Sequence, residues 1–113
     1  MQSSEEAVLL RIFVGDEDRF NRRALYKAIV ENALNIGMAG VTVLRGPYGF
    51  GHSGHLRSEL NVDAGSPFPV VVEIVDSVES IERFLPVIDK MMESGIITME
   101  KVRAIYYDTP KSK

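Results

Sequence analysis

The sequence predicts an α+β domain whose elements follow the order β-α-β-β-α-β. Two observations support this: short runs rich in Val, Ile and Leu, typical of strands, and two longer segments whose apolar residues recur at helical spacing. A third is the length of 113 residues, which suits one domain with a single core. We therefore expect one domain over residues 1–113, with an ordered core at 7–107 and loose tails at 1–6 and 108–113.

Four apolar runs predict the strands, at residues 7–14, 41–44, 70–75 and 102–107. The third run is almost continuously apolar, which is typical of a strand in the middle of a sheet. In the last run Val102, Ala104 and Tyr106 alternate with Arg103, Ile105 and Tyr107, as expected for a strand whose two faces differ.

Helical spacing predicts two helices, at residues 22–38 and 77–93. Asn21 is the expected N-cap of the first, and Asp76 that of the second, with Glu79 three positions later as in a capping box. The first helix carries two apolar stripes, so its extra surface packs either in a thick core or against another subunit.

This order is that of the ferredoxin-like βαββαβ arrangement, a four-stranded antiparallel sheet with two helices on one face. The other face of such a sheet has no cover within one chain. Because the predicted strands are strongly apolar, we expect this open face to pack on neighbouring subunits.

Composition argues against several classes of function. The chain has no cysteine, which excludes disulfides and thiolate metal sites, and its formal net charge of −3 is unlike that of a nucleic-acid-binding protein. No apolar run approaches the ~20 residues of a membrane span. The polar N-terminus does not resemble a signal peptide. We expect a cytoplasmic protein that is not embedded in a membrane and binds no nucleic acid.

The candidate functional region is the glycine-rich loop after the second predicted strand. Four glycines stand between positions 46 and 54, beside histidines and aromatic residues, and Arg45 and Arg57 flank the loop. Glycine lets the backbone approach a ligand closely, and exposed charged groups on such a loop are typical of function. Together with Arg103, these arginines suit a phosphate or carboxylate, which a guanidinium binds through two hydrogen bonds. The alternative is three unrelated surface arginines.

Other chemistry is less well supported. Residues 49–54 match the pattern G-x-G-x-x-G, but a dinucleotide site requires a helix directly after those glycines, and residues 55–60 are too short for one. The acidic residues at 16–18 are typical of a solvated turn. No catalytic spacing of Ser, His and Asp and no P-loop sequence is present. We therefore expect no enzyme activity.

The loop and its preceding strand resemble the PII signal-transduction proteins, which carry G-x-T-V, G-F-G and G-H motifs. The matching residues are Gly40, Thr42, Val43, Gly49-Phe50-Gly51 and Gly54-His55. From residue 9 to about 107 the chain is more closely similar to an uncharacterised PII-like family, domain-of-unknown-function family 190. The features of that family appear at residues 10–15, 25–26, 39–46, 49–51 and 69–76.

The resemblance implies a ferredoxin-like subunit that assembles as a homotrimer and projects the glycine-rich loop as a T-loop. It implies no tightly bound cofactor, but an adenine nucleotide held in the cleft between subunits. It also implies a membrane transporter, ion channel or enzyme as the partner contacted by residues 46–57. The candidate ligand-binding residues are then Arg45, Gly46, Gly49, Gly51, His52, Arg57, Lys101 and Arg103.

The chain also departs from the PII pattern. The PII phosphate-binding segment has the form T-G-x-x-G-D-G-K, whereas residues 94–101 here retain only Gly95 and Lys101, with Ser94 in place of Thr. Losing two glycines removes a cradle of backbone amides, so we expect weakened nucleotide binding. The loop glutamine that binds 2-oxoglutarate in PII proteins is absent near His52, so sensing of that ligand is not expected.

Two alternatives remain open. His52 and His55 lie three residues apart, so the protein is alternatively a divalent-metal-binding trimer of the cation-tolerance type. A flexible loop does not pre-position metal ligands, which weakens that interpretation. The second alternative is a purely structural trimer whose loop binds only a protein partner.

Overall fold

The computed structural model describes residues 2–46, 48–49, 57–58 and 68–107. Its helices are α1 (Leu25–Asn35) and α2 (Val78–Asp89). Its strands are β1 (Gln2–Gly15), β2 (Arg19–Phe20), β3 (Arg23–Ala24), β4 (Thr42–Arg45), β5 (Tyr48–Gly49), β6 (Arg57–Ser58), β7 (Pro69–Asp76) and β8 (Ile96–Tyr107).

The main sheet has the strand order β4-β7-β1-β8, and each neighbouring pair is antiparallel. The short strands form two further pairs, β2 with β3 and β5 with β6. Because β1 and β7 lie inside the sheet and β4 and β8 lie at its edges, the order is that of the ferredoxin-like fold. The predicted α+β class and its four-stranded antiparallel sheet are confirmed.

One face of the sheet forms the core. In β1 and β7 alternate side chains point to this face, where they are buried with apolar residues from both helices. Among the largest fully buried side chains are Leu10, Ile12, Ile29, Val72, Ile74, Ile81, Phe84 and Ile88. Burying a side chain of this size contributes roughly 1.5–3 kcal/mol, so this layer supplies most of the driving force for folding. Both helices therefore cover the same face of the sheet.

The prediction of a loose N-terminal tail at residues 1–6 is wrong for residues 2–6. These residues extend β1 and pair with residues 103–107 of β8, which begins at residue 96 instead of 102. Their polar side chains gave no strand signal, because a two-stranded extension beyond the core has no face to bury. Glu6 lies opposite Arg103, and opposite charges on facing strands favour such pairing. The tail expected at 108–113 lies outside the described residues.

The first helix is shorter than predicted. It begins at Leu25, its N-cap residue is Ala24, and Asn21 therefore does not cap it. Instead, Asn21 and Arg22 have φ angles of 52° and 68° and form the turn between β2 and β3. Two successive residues with positive φ are typical of a tight two-residue hairpin, and Asn tolerates this conformation better than most residues.

The extra apolar stripe of α1 packs mainly in the core. Tyr26 and Val30 lie against the buried cluster, whereas Leu34 is 74% exposed. A thick core thus explains most of the second stripe.

The cap of α2 is Ser77, one residue later than predicted. The Ser77 hydroxyl accepts a hydrogen bond from the Ser80 amide at 3.2 Å. The Asp76 carboxylate, only 9% exposed, instead accepts hydrogen bonds from the amides of Ala39 (2.8 Å) and Ser77 (2.7 Å). This buried carboxylate ties the segment after α1 to the start of α2.

Gly95 precedes β8 with a φ of 119°, and a Cβ atom there would lie 2.7 Å from the carbonyl oxygen of Phe13. We expect Gly95→Ala to lower the free energy of unfolding by about 2 kcal/mol or more, because both the backbone conformation and the contact oppose a side chain. Urea denaturation measures the change. The control is Gly40→Ala, since a Cβ at Gly40 meets no atom within 4 Å. Equal losses from the two substitutions would contradict this account.

Candidate functional site

The two sides of the glycine-rich loop are joined at the β4 edge of the sheet. The amide of Gly46 donates to the carbonyl of Pro69 at 2.8 Å, and the amide of Asp16 donates to the carbonyl of Phe68 at 3.0 Å. These bonds fix the described residues on either side of residues 47–67 and link them to the end of β1.

Three side chains meet at this point, and we call Asp16, Arg45 and Phe68 the loop-base cluster. The Arg45 guanidinium forms an ion pair with Oδ2 of Asp16 and lies 5.0 Å from the centroid of the Phe68 ring. The other oxygen, Oδ1 of Asp16, accepts a hydrogen bond from the Phe68 amide at 3.0 Å. An ion pair and a cation–π contact thus hold Arg45 in one orientation.

Asp16 and Asp18 are not the solvated turn charges that the sequence suggests. The Asp16 side chain is 12% exposed, and Asp18 accepts a hydrogen bond from the Gly15 amide at 2.9 Å. Sequence reasoning missed Asp16 and Phe68 because their partners are distant along the chain. The one sequence feature that pointed to the contact between Arg45 and Phe68 is that these two residues flank the same loop.

Two other candidate residues are close together. Gly49 in β5 and Arg57 in β6 are paired residues of an antiparallel ladder. Gly51, His52 and His55 lie outside the described residues, so the metal prediction that rests on His52 and His55 stays a prediction. Within the parts of the chain that are described, no group of three or more metal-binding side chains is present.

Lys101 and Arg103 line a depression of about 500 Å³ at the β8 edge, together with Ser4, Glu5, Glu6 and Val102. Arg103 Nε donates a hydrogen bond to Oγ of Ser4 at 3.2 Å. Glu5 and Glu6 place two carboxylates beside the two cations, so the depression is electrically balanced within one chain. Strong anion binding here therefore requires a further cation.

Arg45 and the two β8 cations lie at opposite corners of the sheet. Two strands separate β4 from β8, which corresponds to about 14 Å across the sheet. Across β7, Arg45 lies at the level of Val14 of β1, whereas Arg103 lies at the level of Glu6 of the same strand. The distance from Val14 to Glu6 adds about 26 Å along the strands. Within one chain these residues do not form a common site.

The segment that corresponds to the PII phosphate loop is mostly strand. Residues 96–101 belong to β8 and pair with residues 8–13 of β1. In this chain they therefore extend the sheet instead of forming a glycine-rich loop.

The face of the sheet opposite the helices carries an ion network that the sequence did not reveal. Arg11 Nε donates to Glu73 at 3.0 Å and Arg11 Nη1 donates to Glu100 at 2.7 Å, which links β7, β1 and β8. The hydrogen bond with Glu73 is the largest of the effects that raise the pKa of Arg11. Exposed apolar side chains on the same face are Phe13 of β1, Leu44 of β4, Val75 of β7 and Ile96 of β8.

Solved structures share this arrangement of strands and helices. One is CPII from Thiomonas intermedia K12, a nitrogen regulatory PII-like protein bound to ADP, AMP and bicarbonate, with a TM-score of 0.63 at 13% identity over 90% of this chain and 91% of that chain. Another is a putative PII-like signaling protein from Thermus thermophilus, with a TM-score of 0.61 at 18% identity over 91% of each chain. The fold is therefore PII-like.

The chain belongs to the DUF190 family, described as Uncharacterized ACR, which matches residues 7–104. A UPF0166 protein from Aquifex aeolicus is 41% identical over 98 residues, covering 87% of this chain and 92% of that protein. A UPF0166 protein from Methanocaldococcus jannaschii is 29% identical over 90 residues, covering 80% and 82% of the two chains. The predicted membership of a PII-like family is confirmed.

Among the described residues, neither helix is long and apolar enough to cross a bilayer. The cytoplasmic location, the absence of nucleic-acid binding and the absence of enzyme activity stay predictions.

Gly46 is confined by Pro69, because a Cβ atom at Gly46 would lie 2.9 Å from Cγ of the proline ring. We expect Gly46→Ala to lower the free energy of unfolding by about 1–2 kcal/mol, since the ring cannot move aside freely. Pro69→Ala removes Cγ, so in that background the cost of Gly46→Ala should fall by about half or more. Urea denaturation of the four proteins measures this coupling. An equal cost in both backgrounds would show that the contact is unimportant.

Proposed function

We propose that this protein is a homotrimeric PII-like regulator that binds a small anion, such as an adenine nucleotide, between its subunits. The observation that carries the proposal is the position of its cations, with Arg45 at one corner of the sheet and Lys101 and Arg103 at the opposite corner. Because these corners are far apart within one chain, a ligand that contacts Arg45 and the β8 cations together must lie between two chains. CPII, which shares the fold, was crystallised with ADP, AMP and bicarbonate.

The open face of the sheet supports assembly. It exposes apolar side chains around the network of Arg11, Glu73 and Glu100, whereas the opposite face is covered by the helices. In a cyclic trimer each contact joins two different surfaces of neighbouring subunits. Such a contact can bring the β4 edge of one chain beside the β8 edge of the next, which an isologous dimer contact between identical edges does not.

The chemistry of the two corners suits a phosphate group. The guanidinium groups of Arg45 and Arg103 can each offer paired N–H donors to phosphate oxygens, and the ammonium of Lys101 adds a compact charge. Within one subunit Asp16 offsets Arg45, and Glu5 and Glu6 offset the β8 cations. Binding therefore benefits when cations of two chains act on the same anion.

The glycine-rich loop is the proposed contact with a transporter, channel or enzyme. Its candidate residues are Gly46, Gly49, Gly51, His52 and Arg57. A ligand regulates that contact only if it binds more tightly to one state of the loop base than to another. The loop-base cluster is the part of the described structure where such a difference can arise.

Calorimetric titration with ATP, ADP and AMP, each with and without magnesium, tests the ligand. We expect saturable micromolar binding at one site per chain, and a loss of about tenfold or more in Arg103→Gln, because a hydrogen bond to a charged group is removed. Lys27→Gln, a charge loss on the exposed side of α1, should leave the affinity unchanged. Absence of heat with every nucleotide would contradict the proposal. Titration of zinc and copper into wild type and a His52→Ala/His55→Ala variant would then test the metal alternative.

Sedimentation equilibrium tests the assembly. We expect three times the chain mass of 12.6 kDa for the wild type. Leu44→Asp places a charge on the open face and should dissociate the trimer, whereas Leu34→Asp on the exposed side of α1 should preserve it. Dissociation by Leu34→Asp and not by Leu44→Asp would place the interface on α1 and contradict the proposed use of the open face.

A further inference from the structure

In the proposed function the Arg45 guanidinium binds an anionic ligand. A carboxylate of the same chain already pairs with that guanidinium. Arg45 forms an ion pair with Asp16 at the loop base. We propose that Asp16 is a built-in competitor for the anion at Arg45. This inference rests on the proposed function, because it concerns the control of the same site.

Asp16 makes two hydrogen bonds that do not involve Arg45. Its Oδ1 accepts the Phe68 amide at 3.0 Å, and its own amide donates to the Phe68 carbonyl at 3.0 Å. The side chain is 12% exposed. These hydrogen bonds to Phe68, the residue before β7, should therefore hold the carboxylate in place when the guanidinium is engaged elsewhere.

Arg45 is accessible from solvent in a way that Asp16 is not. Its side chain is 59% exposed, and the Phe68 ring supports the guanidinium from one side. A guanidinium carries five N–H donors in a fixed plane, so the ion pair with Asp16 leaves donors for a second anion. An incoming phosphate therefore meets an oriented cation whose charge is partly cancelled by its neighbour.

Two effects of the carboxylate oppose each other. Asp16 orients Arg45, which favours anion binding, but its negative charge repels the anion at short range. The ring of Phe68 still supports the guanidinium when the charge of Asp16 is removed. The repulsion should therefore dominate, and removing it should raise the affinity by about 3- to 10-fold at the effective dielectric of a protein surface.

The competition also connects the ligand to the loop base. An anion that draws Arg45 away weakens the tie between β4 and the end of β1, while the hydrogen bonds between Asp16 and Phe68 remain. The affected residues are the described residues on both sides of the loop. Occupancy of the anion site and closure of the loop base are thus opposed.

Titration of inorganic pyrophosphate into the full chain tests this competition. We expect Asp16→Asn to bind pyrophosphate about 3- to 10-fold more tightly than wild type, because it removes the charge and keeps an oxygen to accept the Phe68 amide. Asp16→Ser serves as a second neutral variant if the first does not fold. The matched control is Glu17→Gln, which removes one charge from an exposed side chain of the same turn. The gain should disappear in Asp16→Asn/Arg45→Gln.

Each outcome decides the inference. No gain beyond that of the Glu17→Gln control, a loss of affinity, or no binding of pyrophosphate to any variant would overturn it. A gain with pyrophosphate but no binding of ATP would reject only the proposed nucleotide ligand. Binding of ATP that is insensitive to Asp16→Asn would reject the competitor role of Asp16 and leave the proposed function standing.

Discussion

The position of β1 inside the sheet determines which side chains of this protein can meet. Its antiparallel pairing with β7 on one side and β8 on the other fixes the register of these three strands, and β4 is positioned by its pairing with β7. That register places Arg45 at one corner and Arg103 at the diagonally opposite corner. The same strand ends at Gly15, so Asp16 lies beside the loop base. The proposed division of the ligand site between two chains follows from this constraint.

Ion pairs contribute geometry more than stability in this fold. Arg11 joins β7, β1 and β8 through two carboxylates, and Arg45 joins β4 to Asp16 in the turn after β1; the two arginine side chains are half-buried and exposed, respectively. Exposed pairs contribute roughly 0–1 kcal/mol, which is small beside the buried layer around Phe84. If a neighbouring subunit covers the open face, the network around Arg11 becomes desolvated. Its hydrogen bonds must then stay satisfied, so it favours one orientation of the partner.

Local patterns predicted the elements of the fold but not the contacts between distant residues. Apolar runs and helical spacing identified the four strands and two helices, since burial selects those side chains. Residues 2–6 were missed because they are polar and owe their strand conformation to pairing with β8. The turn at Asn21 and Arg22 was mistaken for a helix start, because Asn favours both positions. The contact of Asp16 with Arg45 and Phe68 joins three segments, which no local pattern records.

The proposed ligand site takes Arg45 from one chain and Arg103 from the next. Unfolding Arg45→Gln and Arg103→Gln chains together in equal amounts and refolding the mixture tests it most directly, with each variant refolded alone as a control. In randomly mixed trimers about a quarter of the sites between neighbours would retain both arginines. If the site is shared, ATP should bind the mixture with wild-type affinity at about this fraction of sites, and should bind either variant alone more weakly. A mixture that binds no better than the separate variants would contradict a shared site.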